Sequence, residues 1–394
     1  MVCAAAVHVG CERPADASLV PEVPPPALVA EVDAAPPVPT AAPPMPAALP
    51  PVPTAAPPAP AERRDSVVLI AGGDVCLGKA LGQELLRDPT HDPFAPVGAL
   101  LASADVRFIN LESQLSDQRG ETQHPANPLV FTGPPAGADA LARAGITVAS
   151  LANNHMWDYG EGAFLETLRH LERVGVAYAG VGRTRGMAYA PVLVERGGFR
   201  VAVLAVTDIW NQGTLWKHPA RERVAGADLE GLGAAVRAAR VKLHADAVVV
   251  SQHGGVEYLD RPAPRTRAFA HASIDAGADA FLGHHPHVIQ GVEMRRGRPI
   301  FYSLGNFVMA TSDEHPEAAI GMLVRLRLQR GAPPAMEVCP VRREGLGVVP
   351  LAADPHRAAA EAAFIDRFER VSTPMRRAAA ALGPFAADGC APLQ

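Results

Sequence analysis

A chain of 394 residues, 48% hydrophobic and 20% charged, has the composition of a packed globular protein with room for one large domain or two ordinary ones. A formal charge of -5 without a basic stripe, and 5% aromatic residues, argue against nucleic acid as a partner. The cysteines Cys3, Cys11, Cys76, Cys339 and Cys390 are scattered with no CxxC pair, so neither a zinc knuckle nor a disulfide framework is expected.

In chain order, residues 1–11 read as a degenerate or truncated signal or lipoprotein segment. A short apolar run, Val2 to Gly10, precedes Cys11, but no basic region leads it, and His8 stands where a lipobox has a small apolar residue. The run is too short to cross a bilayer, and nothing later is long and apolar enough for a transmembrane helix. Residues 12–64 are almost entirely Pro, Ala and Val with no aromatic ring, and carry an uneven share of the 39 prolines. Such a stretch cannot bury enough surface to offset its ordering entropy, so it is expected to be a disordered, polyproline-like linker. A leader, a cysteine and a spacer together suit export to the cell envelope with a lipid tether, a cytoplasmic location being the alternative.

From Ser66 onward, apolar β-type runs alternate with helical patterns. The runs are Val67–Ala71, Val106–Asn110, Ile146–Leu151, Phe199–Val206, Ala247–Ser251 and Ala280–Gly283, continuous enough for a sheet buried on both faces. Between them, Glu161–Val174 places Phe164, Leu165, Leu168 and Leu171 on one helical face and stops at Gly175. Leu229–Leu243 and Pro264–Ala276 are further helices. This alternation predicts an α/β layered fold. After Gly291, Pro299–Leu304, Gly321–Gln329 and Ala335–Val341 read as strands that partner the first sheet antiparallel. Residues 65–352 are thus expected to form the domain, and 353–394 a helical segment packed on it, with helix across Pro355–Leu382.

The polar residues fall where the strands end. Val67–Ala71 leads to Asp74, Val106–Asn110 to Glu112, and Ile146–Leu151 to Asn154 and His155. Ala247–Ser251 leads to His253, and Ala280–Gly283 to His284, His285 and His287. In an open α/β sheet the carboxyl ends of the strands share one crevice, so residues far apart in sequence converge there. Singly, Asp74 reads as well as a turn residue, Glu112 as a partner for Arg119, and Asn154-His155 as turn chemistry; five strand ends in succession do not. Two carboxylates, an amide and at least four imidazoles suit one or two divalent ions of Zn, Mn or Fe, with a carboxylate able to bridge. No GxSxG, HExxH or P-loop pattern competes with this reading.

These segments together resemble the CapA family of capsule or poly-γ-glutamate synthesis proteins, also called PgsA. The matching stretches are Gly73 to Gly78, Asn110 to Ser113, Ser150 to His155 with Asp158 to Gly160, Ser251 to Gly254 with Glu257-Tyr258, Gly283 to Val288, and Tyr302 to Phe307. That family is similar to calcineurin-like metallophosphoesterases, which implies a four-layer αββα sandwich with a di-metal centre. The resemblance implies Asp74, Glu112, Asn154, His253, His285 and His287 as metal ligands. It makes His155, with Asn154, the acid or substrate contact. Cys76 stands where the Asp-x-His motif has its histidine, and Glu112 where an aspartate is usual. Cys76, His284, Ser303 and Asn306 are secondary candidates. The implied role is in making, exporting or anchoring an anionic capsular polymer, with capsule-synthesis membrane proteins as partners. If the site is catalytic, metal-activated water attacks a phosphate ester or amide-type bond of the polymer or of a phosphate-containing small substrate. The alternatives are a non-catalytic accessory that holds metal or polymer, and a metallophosphoesterase unrelated to capsule.

Overall fold

The computed structural model describes residues 63–211, 219–310, 314–373 and 381–394. The expected leader, with Cys3 and Cys11, and the expected linker up to residue 62 lie outside them. The fold reaches slightly further toward the N terminus than the expected boundary. Arg64 donates its backbone N–H to Gly197 at 2.9 Å and its guanidinium to Asp105 at 2.6 Å, and Arg63 bonds the carbonyl of Gly198.

Two mixed sheets carry the domain. The larger runs, in spatial order, Gly347–Pro350, Ala332–Glu344, Ile320–Gln329, Ser66–Val75, Val106–Leu111, Val148–Ser150 and Ala177–Ala179. From Ser66–Val75 to Ala177–Ala179 the pairing is parallel, and on the other flank antiparallel, as the late strands Gly321–Gln329 and Ala335–Val341 were expected to be. The second sheet runs Val292–Arg295, Arg298–Phe301, Ala280–His284, Ala247–His253, Phe199–Thr207 and Val192–Arg196. Arg298–Phe301 pairs parallel with Ala280–His284, so the strand expected at Pro299–Leu304 belongs to this second sheet and not to the first.

Alternation along the second sheet explains the layering. In Phe199–Thr207, Val201, Val203 and Ala205 join Leu69, Val106 and Val148, which share one face of the larger sheet, in a single core. Their neighbours Ala202, Leu204 and Val206 pack instead with Val236, Phe269 and Ile274 of the helices Leu229–Lys242 and Pro264–Asp275. A strand buried on both faces needs apolar residues at every position, and this sequence supplies them. The helix Gly160–Val174 buries Phe164, Leu168 and Leu171 on the outer side of the larger sheet and ends at Gly175 in the left-handed conformation. The result is the expected α/β four-layer sandwich, helix–sheet–sheet–helix. Each fully buried Leu, Val or Phe contributes about 1.5–3 kcal/mol, so the two cores dominate stability.

Position 73 sets the start of the site. A Cβ on Gly73 would lie 1.8 Å from the carbonyl oxygen of Gly305, so only glycine lets that segment cross. The register of the first strand shifts between Ala71 and Asp74 at this point, and Asp74 donates its N–H to Gly305 at 3.1 Å.

The C-terminal segment departs from expectation twice. Helix occupies Arg357–Ser372, but Ala391–Leu393 is a strand paired antiparallel with Ala332–Glu344, so 353–394 is not helical throughout. Next to that strand, Cys390 forms a disulfide with Cys339, 51 positions away, which corrects the expectation that no disulfide is present. Sequence spacing could not reveal a pair that only strand pairing brings together. Closing a loop of this length stabilises by about 4 kcal/mol at most. Cys390→Ser is therefore expected to lower unfolding free energy by roughly 2–4 kcal/mol in urea titrations under non-reducing conditions, with no such loss under reduction.

Candidate metal centre

Every ligand candidate lies at the carboxyl end of a strand or in the turn that follows it. Asp74 is the penultimate residue of Ser66–Val75, Glu112 follows Val106–Leu111, and His253 closes Ala247–His253. His284 closes Ala280–His284, with His285 and His287 in the turn beyond. His285 and His287 have φ of 95° and 60°, a region that non-glycine residues enter at a cost of about 1–3 kcal/mol each. The turn therefore spends stability to aim two imidazoles inward.

Glu112 lies at the middle. It is fully buried, and neither carboxylate oxygen has a hydrogen bond. Its Oε1 is 3.7 Å from His155 Nε2, 3.7 Å from His253 Nε2 and 3.8 Å from His287 Nε2. Burial, then the charge of Asp74, pushes its carboxyl well above the usual range. A buried, unbonded carboxylate ringed by imidazole nitrogens is a donor arrangement that a divalent cation would satisfy. Donor atoms of Asp74, Glu112 and His253 lie within 4.8 Å of one another, and so do those of Glu112, His285 and His287. Glu112 is common to both groups, so this oxygen–nitrogen set fits two divalent ions bridged by one carboxylate.

The other members are oriented by their neighbours. Asp74 Oδ1 accepts from Asn110 Nδ2 at 2.8 Å and Oδ2 from the backbone N–H of His285 at 3.1 Å. Burial alone would raise this carboxyl, but His284 and His287, each 3.4 Å away, outweigh it and hold it well below the usual range. Asn110 Nδ2 also lies 3.1 Å from His253 Nδ1, and His253 Nε2 lies 2.8 Å from Asn154 Oδ1. That contact is a hydrogen bond to the Asn154 amide oxygen, and it holds these two candidate donors side by side. Burial and then the neighbouring His285 keep His253 neutral, and burial takes His285 down to about 3. Burial would also depress His287, but Glu112 and then Asp74 reverse that and raise it to about 9. His287 Nδ1 lies 3.0 Å from Asn306 Oδ1, and Asn306 Nδ2 is fixed on the carbonyl of Ala318. A ring anchored at Nδ1 presents Nε2 to the centre.

His155 is set differently. Its Nδ1 is bound to Asp158 Oδ2 at 2.8 Å, and its ring stacks on Phe131 at 4.2 Å. A cleft of about 350 Å³ opens over His155 and Asn154, with Asn127, Asn211 and Glu257 in its walls.

Not every candidate joins. Cys76 belongs to neither donor group; it is buried, and burial pushes its thiol up to about 12. A hollow of about 290 Å³ beside Cys76 and Lys79 holds none of the ligand histidines. The Ser303 hydroxyl accepts from the N–H of Gly305 and shapes the turn before Asn306. His284 lies behind Asp74, with no hydrogen bond to either ring nitrogen.

The family model described as bacterial capsule synthesis protein PGA_cap matches residues 68–311. This chain belongs to that family. It is 33% identical over 241 residues to the capsule biosynthesis protein CapA of Bacillus anthracis, covering 60% of this chain and 58% of that protein, less than two thirds of its length. It is 31% identical over 274 residues to the PGA biosynthesis protein CapA of Bacillus subtilis (strain 168), covering 68% and 70%. Among solved structures, the sulfate thiohydrolase SoxB of Thermus thermophilus aligns with a TM-score of 0.39 and 18% identity over 77% of this chain and 48% of that one.

The PGA_cap match contains every residue of the centre and stops before the helix Arg357–Ser372 and the disulfide. Asn110 and Asp158 were passed over as functional residues, although both stand inside family stretches: Asn110 two places before Glu112, Asp158 three after His155. Glu257 also stands in a family stretch, Glu257-Tyr258, whereas Asn211 carries no pattern that assigns it to the cleft. His285→Ala with His287→Ala is expected to remove one of two ions and so roughly halve the metal content, read by elemental analysis of the purified chain. Asn306→Ala should weaken metal affinity roughly 10–100-fold while leaving the ligands in place; unchanged metal in either variant contradicts the assignment.

Proposed function

We propose that this chain is a metal-dependent hydrolase acting on an amide-linked capsular polymer at the cell envelope. The observation that carries the reading is the unsatisfied carboxylate of Glu112 among imidazoles, beside an oriented His155 that opens to a cleft. Asp74, His253 and Asn154 would hold one ion, His285 and His287 the other, and Glu112 both. Such a pair supplies Lewis-acid polarisation of a carbonyl or phosphoryl oxygen and acidifies water.

The chain's own residues supply the rest. Asp158 holds His155 Nδ1, so Nε2 is the atom that gives a proton to the departing group. Phe131 fixes the ring plane from its face. An amide is favoured over a phosphate ester because, among the described residues, no lysine or arginine lines the cleft; a transferring phosphoryl group calls for such cations. Envelope location is supported by the Cys339–Cys390 disulfide, a bond that persists in oxidising compartments.

His155→Asn is expected to lower hydrolysis of a γ-glutamyl oligomer by about 10²–10⁴-fold with metal content unchanged, followed by chromatography of the released fragments. Cleavage of bis(p-nitrophenyl) phosphate but not of the oligomer would replace the amide reading with a phosphoesterase. Binding of the oligomer without any cleavage would make the chain an accessory.

A further inference from the structure

Glu257 is the feature of the cleft that the hydrolytic reading leaves unused. It is exposed, lines the cavity with Asn127, Asn154 and Asn211, and has no ion-pair partner within 4 Å among the described residues. The other carboxylate of the wall, Asp158, is already engaged by His155 and by the backbone N–H of Phe131. The nearby ammonium of Lys79 lies over the Phe131 ring, 4.4 Å from its centroid, and lines the neighbouring hollow instead. Glu257 is close enough to the centre for its charge to act on both Glu112 and His287.

A cleft whose wall, among the described residues, carries side-chain amides, one unengaged carboxylate and no cation repels the side of a polyanion. It accepts neutral amide units and a positive charge. We propose that the cleft receives the free ammonium end of an amide-linked chain, with Glu257 as the counter-ion and Asn127 and Asn211 contacting the amide units next to it. This rests on the amide reading of the site and adds to it an end and a direction. The centre would then act at or near the amine terminus of the polymer, while its remaining carboxylates stay outside the cleft.

Calorimetric titration of the full, Mn-loaded chain with γ-linked triglutamate, free and N-acetylated, tests this. The free-amine form is expected to bind roughly tenfold or more tightly, as a charge-assisted contact implies. Glu257→Gln should remove the difference by weakening the free-amine form alone. Glu257 is exposed and without a hydrogen bond, so this change leaves the fold intact. Equal affinity of the two forms for the unmodified chain overturns the ammonium assignment and leaves the amide reading standing. Failure of both forms, with bis(p-nitrophenyl) phosphate still bound, overturns the two together.

Discussion

A fully buried carboxylate without a hydrogen bond is among the costliest arrangements a folded chain can hold, unless a cation is shared with it. Glu112 is that carboxylate, and the surroundings are built around it. Three imidazole nitrogens approach one of its oxygens, and a second carboxylate, Asp74, is held behind them by Asn110 and a backbone N–H. One or two cations would give the Glu112 oxygens the partner that no hydrogen bond supplies.

Such a centre needs the two-sheet architecture. Asp74, Glu112, Asn154 and His155 come from strands of the larger sheet, and His253, His285 and His287 from the second. Parallel pairing brings the carboxyl ends of each sheet's strands to one rim, and the apolar core between the sheets fixes the distance across it. The crossing of Gly305 against Gly73 and the left-handed turn at His285 and His287 are local strains, offset by that core. Loss of packing far from the rim would therefore loosen the ligands.

Much of this was legible in the sequence because periodicity and position both carried signal. Strands buried on two faces read as unbroken apolar runs, and the polar residue after each run named the rim. The placement of Arg298–Phe301 was not legible, since an apolar run does not reveal which sheet it joins. The disulfide was hidden because Cys339 and Cys390 are neighbours only through the pairing of Val338 with Ala391. Cys76 holds a ligand's place in the motif, but the fold sets it outside both donor groups. Asn211 sits in a loop outside the family stretches, where no repeat marks which side chains will face a cleft.

Bridging by Glu112 is the claim on which the metal centre, and through it the chemistry, depends. Electron paramagnetic resonance of the metal-stripped chain during titration with Mn²⁺ addresses it directly. Two equivalents should bind and give an exchange-coupled spectrum, and Glu112→Gln should abolish the coupling. A single, uncoupled Mn²⁺ at saturation, or coupling that survives Glu112→Gln, would contradict it.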